Sequence, residues 1–167
     1  LPYEEGFETL TSLDNSCWDF YMTNSNSYFA LAEGGSDGGY SLQFDSWDAN
    51  TTDLLFAVLP RFDSINNGFI TFMAKNNGTG DSYGYLTLGY ITNNDINTFT
   101  TLQQLPQSTS FTRFIYDLSN VPATADRLVI MYNNYYRAWI DELQITRSLG
   151  ANVNITVNDL TMGTTTP

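Results

Sequence analysis

One acidic residue inside an apolar strand pattern limits what this chain can fold into more than any other feature. In the segment Ala138–Ile145, strict strand alternation places Asp141 on the same face as Leu143 and Ile145. Burial of a carboxylate among apolar side chains is costly unless a partner neutralises its charge. A bound cation is the simplest partner, and the acidic segment Glu5–Glu8 near the other end of the chain can supply a second ligand. We therefore predict a metal-stabilised β-sandwich whose two ends meet.

The rest of the sequence is a series of short strand patterns separated by turn residues. Tyr40–Phe44 alternates clearly and is expected to direct Tyr40, Leu42 and Phe44 to one face. No helical periodicity extends beyond about two turns. Similar patterns predict further strands at residues 53–59, 69–75, 83–92, 98–105, 111–118, 127–132 and 136–146. A series of about nine or ten strands predicts an all-β fold, an antiparallel β-sandwich of the jelly-roll type.

The composition excludes several classes of partner. The chain of 167 residues has a formal net charge of −12, and Lys75 is its only lysine. Nucleic acids and anionic membrane surfaces bind basic patches, so neither is an expected partner. No apolar run approaches the length of about 18 residues that a membrane-spanning helix needs, so we expect no direct insertion into a membrane.

The sequence offers little basis for catalysis or for zinc binding. It contains no histidine and one cysteine, Cys17, which we expect to be buried as a small apolar side chain. Catalytic arrangements that need histidine are therefore excluded, and so are the usual zinc sites. Two carboxylates can hydrolyse a glycosidic bond, and this keeps a small glycoside hydrolase open as the least favoured alternative. We expect a protein that is not an enzyme.

Aromatic residues make up 15% of the chain and offer a way to hold a ligand. Aromatic rings stack on the apolar faces of sugars, while amides and guanidinium groups bond to sugar hydroxyls. Trp47 lies in a polar stretch that suits this role, whereas Trp18 and Trp139 are expected in the core. The strongest candidate is a predicted loop between two strands, formed by Asn133, Asn134, Tyr135, Tyr136 and Arg137. The alternative is an ordinary turn whose tyrosines pack on the edge of the sandwich.

A set of short motifs carries a family resemblance through their order along the chain. They are Phe7-Glu8, Trp18, Gly39–Leu42, Phe69–Lys75, Arg127–Ile130 and Ile140–Ile145. Together they resemble the cleaved-adhesin domains of Bacteroidetes surface proteins, the type attached to gingipain proteases, which are similar to the MAM domains of animal receptors. The resemblance covers roughly residues 1–147. It implies a jelly-roll sandwich close to the galactose-binding-like modules.

The resemblance also implies a structural calcium ion that joins the terminal strands. The family's acidic ligands correspond to Glu8 and Asp141, and Glu142 stands at the second acidic position of the C-terminal motif. Calcium takes six to eight oxygen ligands, so carbonyl groups would complete the shell. Lesser candidates for metal ligands are Glu5, Asp14 and Asp45. The alternative is that Asp141 lies at a bulge facing water, with Glu8 as an ordinary edge carboxylate.

These observations favour a non-catalytic binding module of a secreted or cell-surface bacterial protein. The expected partner is a glycan or an extracellular protein of a host or matrix. A structural spacer domain without a ligand of its own is the second hypothesis. We expect residues 1–149 to form the sandwich within a larger multidomain protein. Residues 150–167 would be either a last strand or a linker to a following domain.

Overall fold

The computed structural model describes residues 2–46, 53–62, 65–133 and 135–147. Within these residues the chain forms eleven strands and two short 3-10 helices. The helices are Leu13–Asn15 and Leu118–Asn120. The strands are β1 Tyr3–Glu5, β2 Asp19–Met22, β3 Tyr28–Glu33, β4 Tyr40–Ser46, β5 Leu54–Val58, β6 Phe69–Asn76, β7 Leu86–Thr92, β8 Asp95–Gln104, β9 Thr112–Asp117, β10 Arg127–Asn133 and β11 Tyr136–Thr146.

The strands form two antiparallel sheets that face each other. The six-stranded sheet has the order β3-β4-β11-β6-β9, with β1 also paired to β11, and the five-stranded sheet has the order β2-β5-β10-β7-β8. The predicted antiparallel β-sandwich of the jelly-roll type is confirmed. Alternation in the sequence does not delimit β1, β2 and β3, whose short segments lack a long alternating pattern. None of the described helices is long and apolar enough to cross a membrane.

Strand β11 brings the two ends of the sandwich together. Along one edge, its first half pairs with β4, and its second half pairs with β1, where Tyr3 lies opposite Ile145. Its other edge pairs with β6 along most of its length. The predicted meeting of the N-terminal and C-terminal segments is therefore a direct strand pairing.

A β-bulge interrupts β11 and changes which face its side chains occupy. Asp141 pairs with Met73 and Gln144 with Thr71, so β11 has one residue more than β6 between these pairs. Glu142 lies within the bulge and has a strained backbone conformation, with a φ of 47°. Because of the bulge, Ala138 and Ile140 before it share the core face with Leu143 and Ile145 after it. Asp141 lies on the opposite, outer face, and its predicted position beside Leu143 and Ile145 is wrong.

The core lies between the two sheets and is apolar. Leu42 and Phe44 are fully buried in it, as predicted, but Tyr40 is 39% exposed at the start of β4. Edge-to-face contacts join Phe7 to Trp18 and Phe29 to Phe44. These aromatic contacts connect the N-terminal segment to the centre of the core.

Two sequence predictions about single side chains need correction. Trp18 is buried as expected, but Trp139 is only partly buried, on the outer face of the six-stranded sheet. Strict alternation would group Trp139 with Leu143, and the bulge separates them. Cys17 is exposed instead of buried, because it precedes the first residue of β2 in a turn.

Candidate functional site

Three carboxylates from distant parts of the chain meet on the outer face of the six-stranded sheet. Each of Glu8, Asp37 and Asp141 offers an oxygen atom, and these atoms all lie within 4.8 Å of one another. Glu8 follows β1, Asp37 lies in the loop between β3 and β4, and Asp141 belongs to β11. We call these residues the acidic cluster.

Asp141 is the buried member of the acidic cluster. Its residue is 0% exposed, and its carboxylate accepts hydrogen bonds from the backbone N–H groups of Ser36 and Glu142, each at 2.7 Å. The Ser36 hydroxyl donates a further bond at 3.1 Å. Burial raises the pKa of Asp141, these hydrogen bonds lower it, and the charge of Asp37 raises it further; the pKa remains above its ordinary value. The carboxylate is therefore positioned firmly but is short of positive charge.

The backbone at Phe7 and at Gly39-Tyr40 directs the Glu8 carboxylate into the cluster. Phe7 is buried at a φ of 63°, so the chain turns sharply just before Glu8. The Glu8 carboxylate accepts two hydrogen bonds from the Tyr40 N–H, at 2.9 and 3.0 Å. A Cβ atom at Gly39 would lie only 2.0 Å from Glu8 Oε2, so glycine leaves the space that this carboxylate fills.

Asp37 is the member that sequence reasoning missed. It lies in the glycine-rich loop 34–39, which the sequence identified only as a flexible connection. Its Oδ1 accepts a hydrogen bond of 2.8 Å from the Gly39 N–H. The signal that could have identified it is an acid within a tight glycine loop that joins two strands beside β11.

The other three metal candidates lie elsewhere. Glu5 accepts a hydrogen bond of 2.8 Å from the Phe7 N–H, and Asp14 lies exposed in the first 3-10 helix. Asp45 is buried towards the other end of β4, where it pairs with Arg137. None of these three belongs to the group of mutually close acids found among the described residues.

The acidic cluster can hold a hard divalent cation. Its carboxylate oxygens are the ligands that calcium prefers, and each oxygen that accepts one hydrogen bond keeps a lone pair for a metal. Three carboxylates this close repel one another strongly unless a cation lies between them. The donor set thus suits calcium chemically.

A second site is a cleft of about 250 Å³ near the beginning of β11. Its lining consists of Asp45, Ser46, Asn77, Tyr135, Tyr136 and Arg137. We call it the tyrosine cleft. The structure thus brings together three of the residues predicted to contact a ligand.

The tyrosine rings of the cleft are packed against one another but remain partly exposed. Tyr136 stacks on Tyr83 with ring centroids 5.0 Å apart, and its centroid lies 3.9 Å from that of Tyr135. Tyr136 is 38% exposed and has a φ of 73°, an unusual conformation for a bulky residue. The Tyr132 hydroxyl donates a 2.8 Å bond to the Tyr135 carbonyl and fixes the turn from beneath. Strain of this kind is often kept at functional sites.

An ion pair forms the polar wall of the cleft. Arg137 Nε donates to Asp45 Oδ2 at 2.5 Å, and Gln43 Nε2 donates to the same oxygen at 3.0 Å. A hydrogen bond to Asp45 also raises the pKa of the Tyr28 hydroxyl, while the same carboxylate raises the pKa of Arg137. Asp45 is the one carboxylate among the residues that line the cleft, and it is held by Arg137. The wall therefore offers hydrogen-bonding groups of balanced charge.

The remaining predicted contact residues are not in the cleft lining. The Asn133 side-chain oxygen accepts a 2.8 Å bond from the Tyr85 N–H, which serves the fold. Trp47 and Asn134 lie outside the described residues. Sequence reasoning missed Ser46 and Asn77, because they reach the cleft only through the pairing of β4 and β6 with β11.

Comparisons with known proteins find similarity in fold. No family model matches the sequence, and no curated protein does. Among solved structures, the K1 cleaved adhesin domain of Lys-gingipain from Porphyromonas gingivalis W83 matches with a TM-score of 0.64 and 17% identity, over 90% of this chain and 99% of that domain. The K2 and K3 cleaved adhesin domains of Lys-gingipain match as well. The predicted resemblance to cleaved adhesins is confirmed at the level of the fold.

Carbohydrate-binding modules share this fold. An aspartate-to-alanine variant of the family 29 module CBM29-2 matches with a TM-score of 0.59 and 15% identity, over 96% of this chain and 98% of that one. A Clostridium thermocellum xylanase 10B structure, of a CBM22 module and a GH10 module with xylohexaose, matches with a TM-score of 0.55 and 17% identity. That match covers 86% of this chain but only 28% of the xylanase chain.

Proposed function

We propose that this chain is a non-catalytic binding module that holds a glycan in the tyrosine cleft. The observation that carries the proposal is Tyr136, a strained and partly exposed ring beside the Arg137–Asp45 pair. A pyranose presents an apolar face to such a ring and hydroxyl groups to the wall next to it. Hydroxyl groups both donate and accept, so a wall with guanidinium, carboxylate and amide groups suits them.

The comparisons support a binding role over the other hypotheses. Carbohydrate-binding modules and adhesin domains share the fold at low identity, and the CBM29-2 variants among them probe ligand recognition. The cleft lining contains one carboxylate, whereas a glycoside hydrolase needs two that flank the bond. A spacer domain would have no need for a strained aromatic ring at the surface. The alternative partner is an extracellular protein, and the experiment distinguishes it from a glycan.

The first experiment is a glycan array followed by titration calorimetry with the glycans that respond. Tyr136→Gly removes the ring and suits the φ of 73°, so the fold should persist while affinity falls by roughly tenfold or more. Asn93→Gly is the matched control, since Asn93 is exposed, has a φ of 54° and lies in the β7–β8 turn. The control should bind normally.

Two results would contradict the glycan assignment. The first is that wild-type protein gives no response on the glycan array and binds matrix proteins instead. The second is unchanged glycan affinity in folded Tyr136→Gly, which would place the contact elsewhere.

We propose further that calcium binds between Glu8, Asp37 and Asp141. Support comes from the closeness of the three carboxylates and from the burial of Asp141 without a cationic partner among the described residues. An ion there would offset two of the three negative charges and join the segment after β1 to the loop before β4 and to β11. The bound metal would supply stability, and the glycan-binding groups would lie apart from it.

The proposed setting is a secreted or cell-surface bacterial protein in which this module is one of several domains. The K1 domain that shares the fold is a cleaved adhesin domain of Lys-gingipain. A module of this kind would attach a larger protein to a glycan or to a matrix partner.

A further inference from the structure

The outer face of the six-stranded sheet continues directly from the tyrosine cleft. Arg137 and Trp139 lie two residues apart on β11 and therefore project from the same face. The strand register places Gln43 on one side of Trp139 and Lys75 on the other. A row of polar and aromatic side chains thus crosses three strands next to the cleft.

Trp139 lies at the centre of that row. Its indole N–H donates to Gln43 Oε1 at 3.0 Å, so the ring is fixed in orientation. The Lys75 ammonium lies 4.8 Å from the Trp139 ring centroid and 4.3 Å from that of Phe111. The ring remains partly exposed on the outer face of the sheet. Part of an aromatic ring is therefore open to solvent beside hydrogen-bonding groups.

Cationic side chains are concentrated on this face. Of six cationic residues in a chain of net charge −12, three project from this face: Lys75, Arg113 and Arg137. Arg137 is paired with Asp45, and Arg113 lies 3.6 Å from Glu142. Within the described residues Lys75 forms no ion pair and contacts aromatic rings instead. The charges around Trp139 are therefore largely balanced, in contrast to the acidic cluster further along β11.

We propose that the ligand is an uncharged oligosaccharide that extends from the tyrosine cleft onto Trp139, an inference that rests on the glycan-binding function proposed above. Tyr136 has a φ of 73°, which interrupts regular strand alternation, and it lines the same cleft as the outer-face residue Arg137. Tyr136 and Trp139 are three residues apart, which is about 10 Å along a strand. This distance exceeds the reach of a single sugar, so a chain is needed to touch both rings. The Lys75 ammonium and the Gln43 amide then donate to hydroxyl groups of the sugar over Trp139.

The charge balance selects an uncharged chain over an acidic one. The guanidinium of Arg137 is already neutralised by Asp45, and an acidic polysaccharide would be repelled by the net charge of −12. Paired donors and acceptors suit hydroxyl groups, which need both. Binding should therefore depend little on ionic strength.

The test measures affinity against oligosaccharide length by titration calorimetry, using the array glycan that binds best and its shorter fragments. Wild-type affinity should rise by roughly tenfold or more once the chain reaches Trp139. Trp139→Ala should remove that gain and leave the affinity for the shortest fragment unchanged. Lys75→Met keeps the aliphatic contact, removes the ammonium and should remove part of the gain. Tyr21→Ala, on an exposed ring of the five-stranded sheet, is the control.

The outcomes separate this inference from the proposed function. If length has no effect on wild-type affinity, or if folded Trp139→Ala keeps the gain, the inference fails although glycan binding at Tyr136 stands. If no glycan binds wild-type protein, both proposals fail. Tighter binding of a uronic-acid chain, weakened by added salt, would overturn the uncharged assignment. If Trp139→Ala does not fold, Lys75→Met tests the same contact, and a folded Lys75→Met variant that keeps the whole gain would overturn the inference.

Discussion

Tyr3 fastens the first strand to the core through one hydrogen bond. The Trp18 indole N–H donates to the Tyr3 hydroxyl at 2.8 Å, and the Tyr3 ring contacts Phe62 edge-to-face at 5.3 Å. Burial is the main cause that raises the pKa of Tyr3 from 10.0 to about 12. A phenol with a raised pKa keeps its proton in the folded chain at a pH where the unfolded chain has lost it.

The raised pKa of Tyr3 predicts a specific loss of stability in alkali. Between pH 10 and 12 the unfolded state binds fewer protons at Tyr3 than the folded state, so the free energy of unfolding falls as pH rises. Tyr3→Phe should lower stability by about 1 kcal/mol below pH 10, because Trp18 loses its acceptor. Above pH 10 the variant should lose less stability than wild type in urea unfolding. Tyr21→Phe, at an exposed ring, is the control; an equal alkaline loss in Tyr3→Phe would contradict the assignment.

At the scale of the element, the bulge in β11 has the largest effect. It lies where the partner of β11 changes from β4 to β1, and it puts apolar residues into the core on both sides of the break. It also turns Asp141 outward, next to the loop between β3 and β4. A single inserted residue thus keeps apolar side chains in the core on both sides of the bulge and leaves Asp141 in the acidic cluster.

Deletion of Glu142 tests this role of the bulge. Without the extra residue, strict alternation would turn Leu143 and Ile145 to the outer face or break the pairing with β6, so we expect loss of cooperative thermal unfolding. Glu142→Gly keeps the residue count and suits the φ of 47°, so it should fold, at the cost of contacts to Ser36 and Arg113. Circular dichroism melting distinguishes the two. A deletion variant that melts like wild type would show that the bulge is dispensable.

At the scale of the whole molecule, the acidic cluster brings together the segment after β1, the loop between β3 and β4, and strand β11. With calcium at about 100 times the dissociation constant, stabilisation is about 2.7 kcal/mol. For a chain of 167 residues this corresponds to a rise in Tm of roughly 5–10 °C. Chelation of wild-type protein should reverse the rise.

Asp37→Asn makes the calcium prediction sharper, because its effect should change sign with the metal. It removes one charge from the cluster and keeps the side-chain oxygen that accepts from Gly39. The metal-free variant should melt slightly above metal-free wild type, since like-charge repulsion with Asp141 is relieved. With calcium it should melt below wild type. Asp14→Asn, at an exposed acid outside the cluster, should respond to calcium as wild type does; equal responses in both variants would refute the site.

The sequence by itself determined the class of fold, because period-two alternation and turn residues are local properties of the chain. It also indicated that Glu8 and Asp141 come together, which the structure places in one cluster. The tyrosine pair and Arg137 were found in the same way, from a polar aromatic loop between two recognisable strands. Local pattern was sufficient for the fold class and the aromatic loop, whereas the family resemblance is what paired Glu8 with Asp141.

Only the tertiary structure decided the face of Asp141 and Trp139, the membership of Asp37 and the pairing of Asp45 with Arg137. The first depends on a one-residue bulge, which shifts alternation without a clear mark in the sequence. The others depend on which strands lie side by side, and β4, β6 and β11 are far apart in the chain. Contacts between distant segments are set by the packing of the whole sandwich, so local pattern alone does not contain them.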